Sequence, residues 1–190
     1  MDQKICLTIK PISHSTPKEE KLFLEWFQKI PSVTDVAQQD GNIHIFFADK
    51  EVPEDDLHDL SAVFYRFNID IKQLNLFLDS IEKDWQFRQD GNPNHHNMWP
   101  GGDKKPAFIK NAIVCGKIDY FSYLDEDLFF IWLRSIPSVI EHEGIREKLY
   151  LHIPKGNITE EDFAELMRLF ELYKVDTKQL KKLQSQTRSC

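Results

Sequence analysis

The stretch "WFQKIPSV", Trp26–Val33, returns as "WLRSIPSV", Trp132–Val139, in a chain of 190 residues. Sliding the sequence by 106 positions aligns the two phrases, and the register then holds without a gap to "DIKQL" (Asp70–Leu74) and "DTKQL" (Asp176–Leu180). Fifteen residues between positions 22 and 74 are identical to their counterparts, among them Trp26, Ile30, Pro31, Ser32, Val33, Glu54, Asp56 and Asp70. Two unrelated amphipathic helices would share a period, but they would not keep one register through a helix, a turn, a strand and a second helix. We therefore read a tandem duplication whose period is too long for an ordinary solenoid.

The phrase itself is punctuation. Leu22, Phe23, Trp26, Phe27 and Ile30 fall on one face of a helix, as do Leu128, Phe129, Trp132, Leu133 and Ile136. Pro31 and Pro137 stop that helix, because proline has no N–H to give and restricts the residue before it. Working outward, "KICLTIK" and "AIVCGKI" read as strands. Asp40-Gly41-Asn42 marks a hairpin turn, and Ile43, Ile45 and Phe47 alternate as the core face of its second strand. Helices with acidic first turns begin near Glu54 and Glu160, with Thr159 and Asp162 as a capping pair. Asp70 and Asp176 read as caps of a last short helix.

The expected fold is α+β: a β-α-β-β-α-α unit, duplicated in tandem and packed with pseudo-two-fold symmetry, each copy holding a small three-stranded sheet. Residues 1–82 form the first repeat, 83–108 an irregular linker and 109–190 the second repeat. Each unit is close to the size at which a single core stabilises only marginally, so packing of the repeats on one another is expected. The second copy's first helix has Ile131 where the first copy has Glu25, next to Phe130. It is apolar over more of its circumference than one core face needs. Contact between the repeats accounts for this, and a homodimer surface around Ile131 is the sharper alternative.

Charge narrows the function. The net charge of -7 is uneven: residues 1–80 carry 8 basic and 14 acidic side chains, while 109–190 carry 12 and 13. A nucleic-acid binder shows a basic face to phosphates, and neither half does so in aggregate, so nucleic acid is not the expected partner. The apolar patch near the N-terminus is short and interrupted by charge, which argues against a signal peptide or a membrane span and for a cytoplasmic address. Cys6, Cys115 and Cys190 make no CxxC pair, and Cys6 and Cys115 sit in strand-like runs as small hydrophobes.

Catalytic signatures are missing: there is no GxSxG, P-loop or GxGxxG. His95 and His96 lie in the Asn-, Gly- and Pro-rich linker, close to Asp90 and Asp103. Adjacent histidines on an irregular chain do not readily converge on one ion, and no ligand spacing supports them, so they are weak metal candidates and no cofactor is expected. His44 and His152 are two positions apart in the aligned register, which does not suit a catalytic pair inherited by duplication.

What stands out is the acidic run Asp49, Glu51, Glu54, Asp55, Asp56 and Asp59 of the first copy; the matching stretch of the second copy combines Lys155 with Glu160, Glu161, Asp162 and Glu165 and lies in a half that is nearly balanced in charge. Clustered charge of one sign speeds encounter with the opposite sign and selects for it. The reading is a non-enzymatic, cytosolic protein-protein interaction protein, of inhibitor or immunity type, that binds a basic protein through these residues with help from Trp99 in the linker. The alternatives are a metal-dependent hydrolase with its site where repeats and linker join, and a self-associating structural subunit.

Overall fold

Alternation along the strands and the stops at Pro31 and Pro137 set out the architecture of the computed structural model, which describes residues 5–13, 16–80, 112–145, 148–154 and 158–181. The elements run β1 (Ile5–Ile9), α1 (Pro17–Lys29), β2 (Val33–Gln39), β3 (Asn42–Phe47) and α2 (Glu54–Arg66), then a 3-10 helix (Ile71–Ser80). They continue with β4 (Ile113–Cys115), α3 (Tyr123–Arg134), β5 (Glu141–Ile145), β6 (Lys148–His152) and α4 (Glu160–Leu172). The chain divides into two compact units, Met1–Asn94 with Phe121–Leu128, and His95–Tyr120 with Phe129–Cys190.

In the first unit the strand order is β1-β3-β2, all antiparallel. Ile43, Ile45 and Phe47 on the central strand are 3%, 0% and 0% exposed, so the alternating face is the core face. The hairpin turns on Asp40 and Gly41, both at positive φ (52° and 77°), the conformation that a two-residue turn of matching twist requires. Helix α1 is capped by Thr16, whose Oγ1 accepts from the Glu19 N–H at 3.0 Å. Its buried face packs Phe23 edge-on against Phe27 and Phe67, with ring centroids 5.1 and 4.6 Å apart. A fully buried phenylalanine contributes about 1.5–3 kcal/mol, so Phe23, Phe27, Phe47 and Phe64 dominate this small core.

The second unit has the order β4-β6-β5, also antiparallel. Its pairings match those of the first unit at an offset of 106: Leu7 with Ile45 becomes Ile113 with Leu151, and Val36 with Ile45 becomes His142 with Leu151. Helices α2 and α4 have corresponding ends, and each is followed by a residue at positive φ, Asn68 (52°) and Lys174 (56°). After each, a backbone N–H closes the helix end, Ile69 to the Phe64 carbonyl and Val175 to that of Phe170. The two Asp-Xaa-Lys caps agree as well: Asp70 accepts from the Lys72 N–H at 3.0 Å and Asp176 from the Lys178 N–H at 2.9 Å. The helix expected after Asp70 is a 3-10 helix, and residues 178–181 are helical at the equivalent place.

The repeated phrase has a definite job. Ser32 donates its backbone N–H (2.7 Å) and its hydroxyl to Asp56 Oδ2, and Ser138 donates its N–H (3.0 Å) and hydroxyl to Asp162 Oδ2. Both aspartates are buried, and each occupies the third position of its helix. The carboxylate thereby meets the positive end of its own helix and two donors from the corner that follows the proline. Ile30 and Ile136, fully buried just before the prolines, anchor the same corner by packing.

Candidate interaction surface

The acidic run resolves into residues of different kinds. Asp49, Glu51, Glu54 and Asp55 are exposed, in the β3–α2 loop and on the first turn of α2. Among the described residues none of the four is paired with a lysine or arginine, and Glu54 meets only His58 at 3.7 Å. Asp49 Oδ1 accepts from the N–H groups of Lys50 (2.5 Å) and Glu51 (3.5 Å), a local turn that holds the loop in place. Asp56 does not belong to the surface, because it is 6% exposed and its Oδ2 takes the two Ser32 donors. The loop ends at Pro53, the cap residue of α2, which makes no side-chain capping bond, whereas Thr159 caps α4 at 3.0 Å. Acidic side chains in the first turn therefore carry more of the dipole compensation in α2.

Asp59 is half-buried. Burial pushes its carboxyl above the ordinary value, neighbouring Asp56 and Asp55 add to the rise, and a hydrogen bond from Ser122 opposes it. A carboxyl raised in the folded state holds its proton better there than in the unfolded chain. Its contribution to stability is complete below the unfolded value of about 4 and is lost as pH rises through the raised folded value. Asp59→Asn removes that loss. The urea midpoint of the variant should pull progressively above that of the wild type between pH 4 and pH 7, and a constant gap would show that burial of the charge is not what Asp59 contributes.

A comparison of the two units explains why Asp59 faces elsewhere. In the second unit the Trp132 Nε1–H donates to Glu165 Oε2 at 2.7 Å, both residues buried. At the matching positions stand Trp26 and Asp59, one methylene shorter, and the buried Trp26 Nε1 has no acceptor among the described residues.

A second set of polar contacts in the first unit centres on a buried ion pair. Arg66, at the end of α2, grips Asp125 through two bonds, Nε to Oδ1 at 3.1 Å and Nη2 to Oδ2 at 2.7 Å. Their side chains are 2% and 0% exposed. Asp125 also accepts from the Phe121 N–H at 2.8 Å, and its own N–H donates to Ser122 Oγ at 3.1 Å, which caps α3. The Arg66 guanidinium lies 4.6 Å from the centre of the Phe121 ring, and Tyr65 packs on the same ring at 4.5 Å.

Other predicted features fall as follows. Trp99, His95 and His96 lie outside the described residues. Among those described, no group of three or more His, Cys, Asp and Glu could hold a metal ion. No helix among them is long and apolar enough to cross a membrane. Cys115 is buried in the core and its thiol is pushed up to about 12, whereas Cys6 is exposed and does not behave as the core hydrophobe expected of it. Ile131 is half-buried, and Phe130 is covered within its own unit, stacked on His142 at 5.5 Å with Arg134 over its ring at 5.7 Å. Burial and the Arg134 charge together lower the His142 pKa.

Comparison with protein families, with curated proteins and with solved structures gave no significant match in any of the three.

Proposed function

We propose that the chain is a tandem duplication of one α+β unit in which the first copy has become a docking module for a basic protein. The observation that carries this is the set of exposed acids Asp49, Glu51, Glu54 and Asp55, which lack a lysine or arginine partner among the described residues. Like charges gathered on one loop and helix start repel one another and are offset only in part by the helix dipole. A basic surface placed against them relieves that repulsion and gains encounter rate as well. The duplication is supported by strand pairings, helix ends and the Ser–Asp corner bonds that coincide at an offset of 106.

The role is binding rather than catalysis, and blocking a basic protein in the cytoplasm is the form that suits the size and charge of the chain. Reversing Asp49, Glu51 and Asp55 to lysine leaves the buried Asp56 and half-buried Asp59 untouched, and Asp49→Asn alone, which keeps the acceptor of the loop turn, separates loss of charge from loss of that turn. Affinity for the basic partner should fall about tenfold or more, mostly through slower association, and the loss should shrink as salt is raised. Surface plasmon resonance at two salt concentrations reads both effects, and unchanged association in the triple variant would remove the assignment.

A further inference from the structure

We propose that Cys6 and His44 form a thiol–imidazole pair on the open face of the first sheet, a site at which small disulfides modify the protein. The two residues lie on adjacent strands, where Cys6 is paired across from Phe46 and Thr8 across from His44. Their side chains point away from the core, since Leu7, Ile9, Ile43 and Ile45 fill the other face. Cys6 Sγ is 3.7 Å from His44 Nδ1, and the same nitrogen is 3.2 Å from Thr8 Oγ1. The His44 ring also stacks on Phe46, with centroids 6.5 Å apart and planes 28° apart. Phe46 thus flanks the ring, while Cys6 Sγ and Thr8 Oγ1 both meet it at Nδ1. On the third strand the residue facing His44 is Ala37, too small to cover the pair.

A nucleophile and a base in reach of each other is the arrangement that activates a thiol, and once Nδ1 carries the proton the Thr8 hydroxyl is placed to accept from it. The contrast with Cys115 is internal to the chain: that thiol is buried in the core and its thiolate is disfavoured. At the pair, Cys6 gives its proton to His44 Nδ1 and the thiolate attacks one sulfur of a low-molecular-weight disulfide. The Sγ–S bond forms, the S–S bond of the reagent breaks, and the departing thiolate takes the proton back from His44. A thiol and a disulfide become a mixed disulfide and a thiol, with no other oxidant needed.

Oxidised glutathione incubated with the full chain at pH 6.5, followed by peptide mass mapping over time, tests this. Cys6 should gain glutathione at least about tenfold faster in the folded protein than in the urea-unfolded chain, a modest yield for a general base. Cys115 should stay unmodified until the protein unfolds. His44→Gln and His44→Asn should each bring the Cys6 rate down to within about threefold of the unfolded one. Equal rates in folded and unfolded wild type, or a rate that survives both substitutions, would overturn the proposal.

Discussion

Arg66→Leu should lower the stability of the protein by about 3–5 kcal/mol, the usual cost of removing one partner from a buried ion pair. The reason is what stays behind. Asp125 is fully buried and keeps its bond from the Phe121 N–H, but it loses both guanidinium contacts. Asp125→Asn should cost a similar amount, because it removes the opposite charge from the buried guanidinium. The double variant Arg66→Leu/Asp125→Asn should lose clearly less than the sum of the two, because it leaves no unpaired charge. Position 172, which aligns with Arg66, is a leucine in the other unit, so the fold accepts an apolar residue there. Urea unfolding of the four proteins reads the coupling, and additive losses would mean that the pair is not a unit.

The second large effect concerns two neighbouring carboxylates that composition cannot tell apart. Asp56→Ala should cost about 2–3 kcal/mol, since it removes the shared acceptor from both donors of the half-buried Ser32. Asp162→Ala should cost as much through Ser138. Asp55→Ala, one residue away but exposed, should change stability by no more than about 0.5 kcal/mol. Asp56→Asn keeps an acceptor of the same shape and should fall between the two. Thermal unfolding of the three position-55 and position-56 variants checks the order, and a loss at Asp55 equal to that at Asp56 would contradict the corner as described.

The sequence match at an offset of 106 made much of the fold legible, because each aligned stretch resolves ambiguities in the other. Ile43, Ile45 and Phe47 alternate just as Leu149, Leu151 and Ile153 do, and all six are buried. The role of Asp56 was also within reach: Ser32 and Asp56 are identical in both copies, whereas Asp55 and Asp59 become glutamates. A carboxylate retained together with a serine 24 residues earlier is a sign of contact, but the run of acids around it hides that sign. Arg66 and Asp125 gave no such signal. One is a basic residue in a last helical turn and the other an acid in a first turn, positions where solvated dipole complements are common. Nothing in hydrophobic periodicity tells that residues 59 positions apart meet, or that Phe121–Leu128 joins the first unit. Cys6 misled for a related reason. A strand in a two-layer unit buries one face only, and "ICLTI" is apolar enough on both to conceal which side the thiol takes.

Affinity capture from a native lysate, run in parallel with the wild-type protein and with the Asp49→Lys/Glu51→Lys/Asp55→Lys variant, decides whether the acidic surface docks a basic protein. A basic protein should be retained by the wild type, released by moderate salt and lost from the variant. Equal retention by both proteins, or a retained set with no basic member, would contradict that docking.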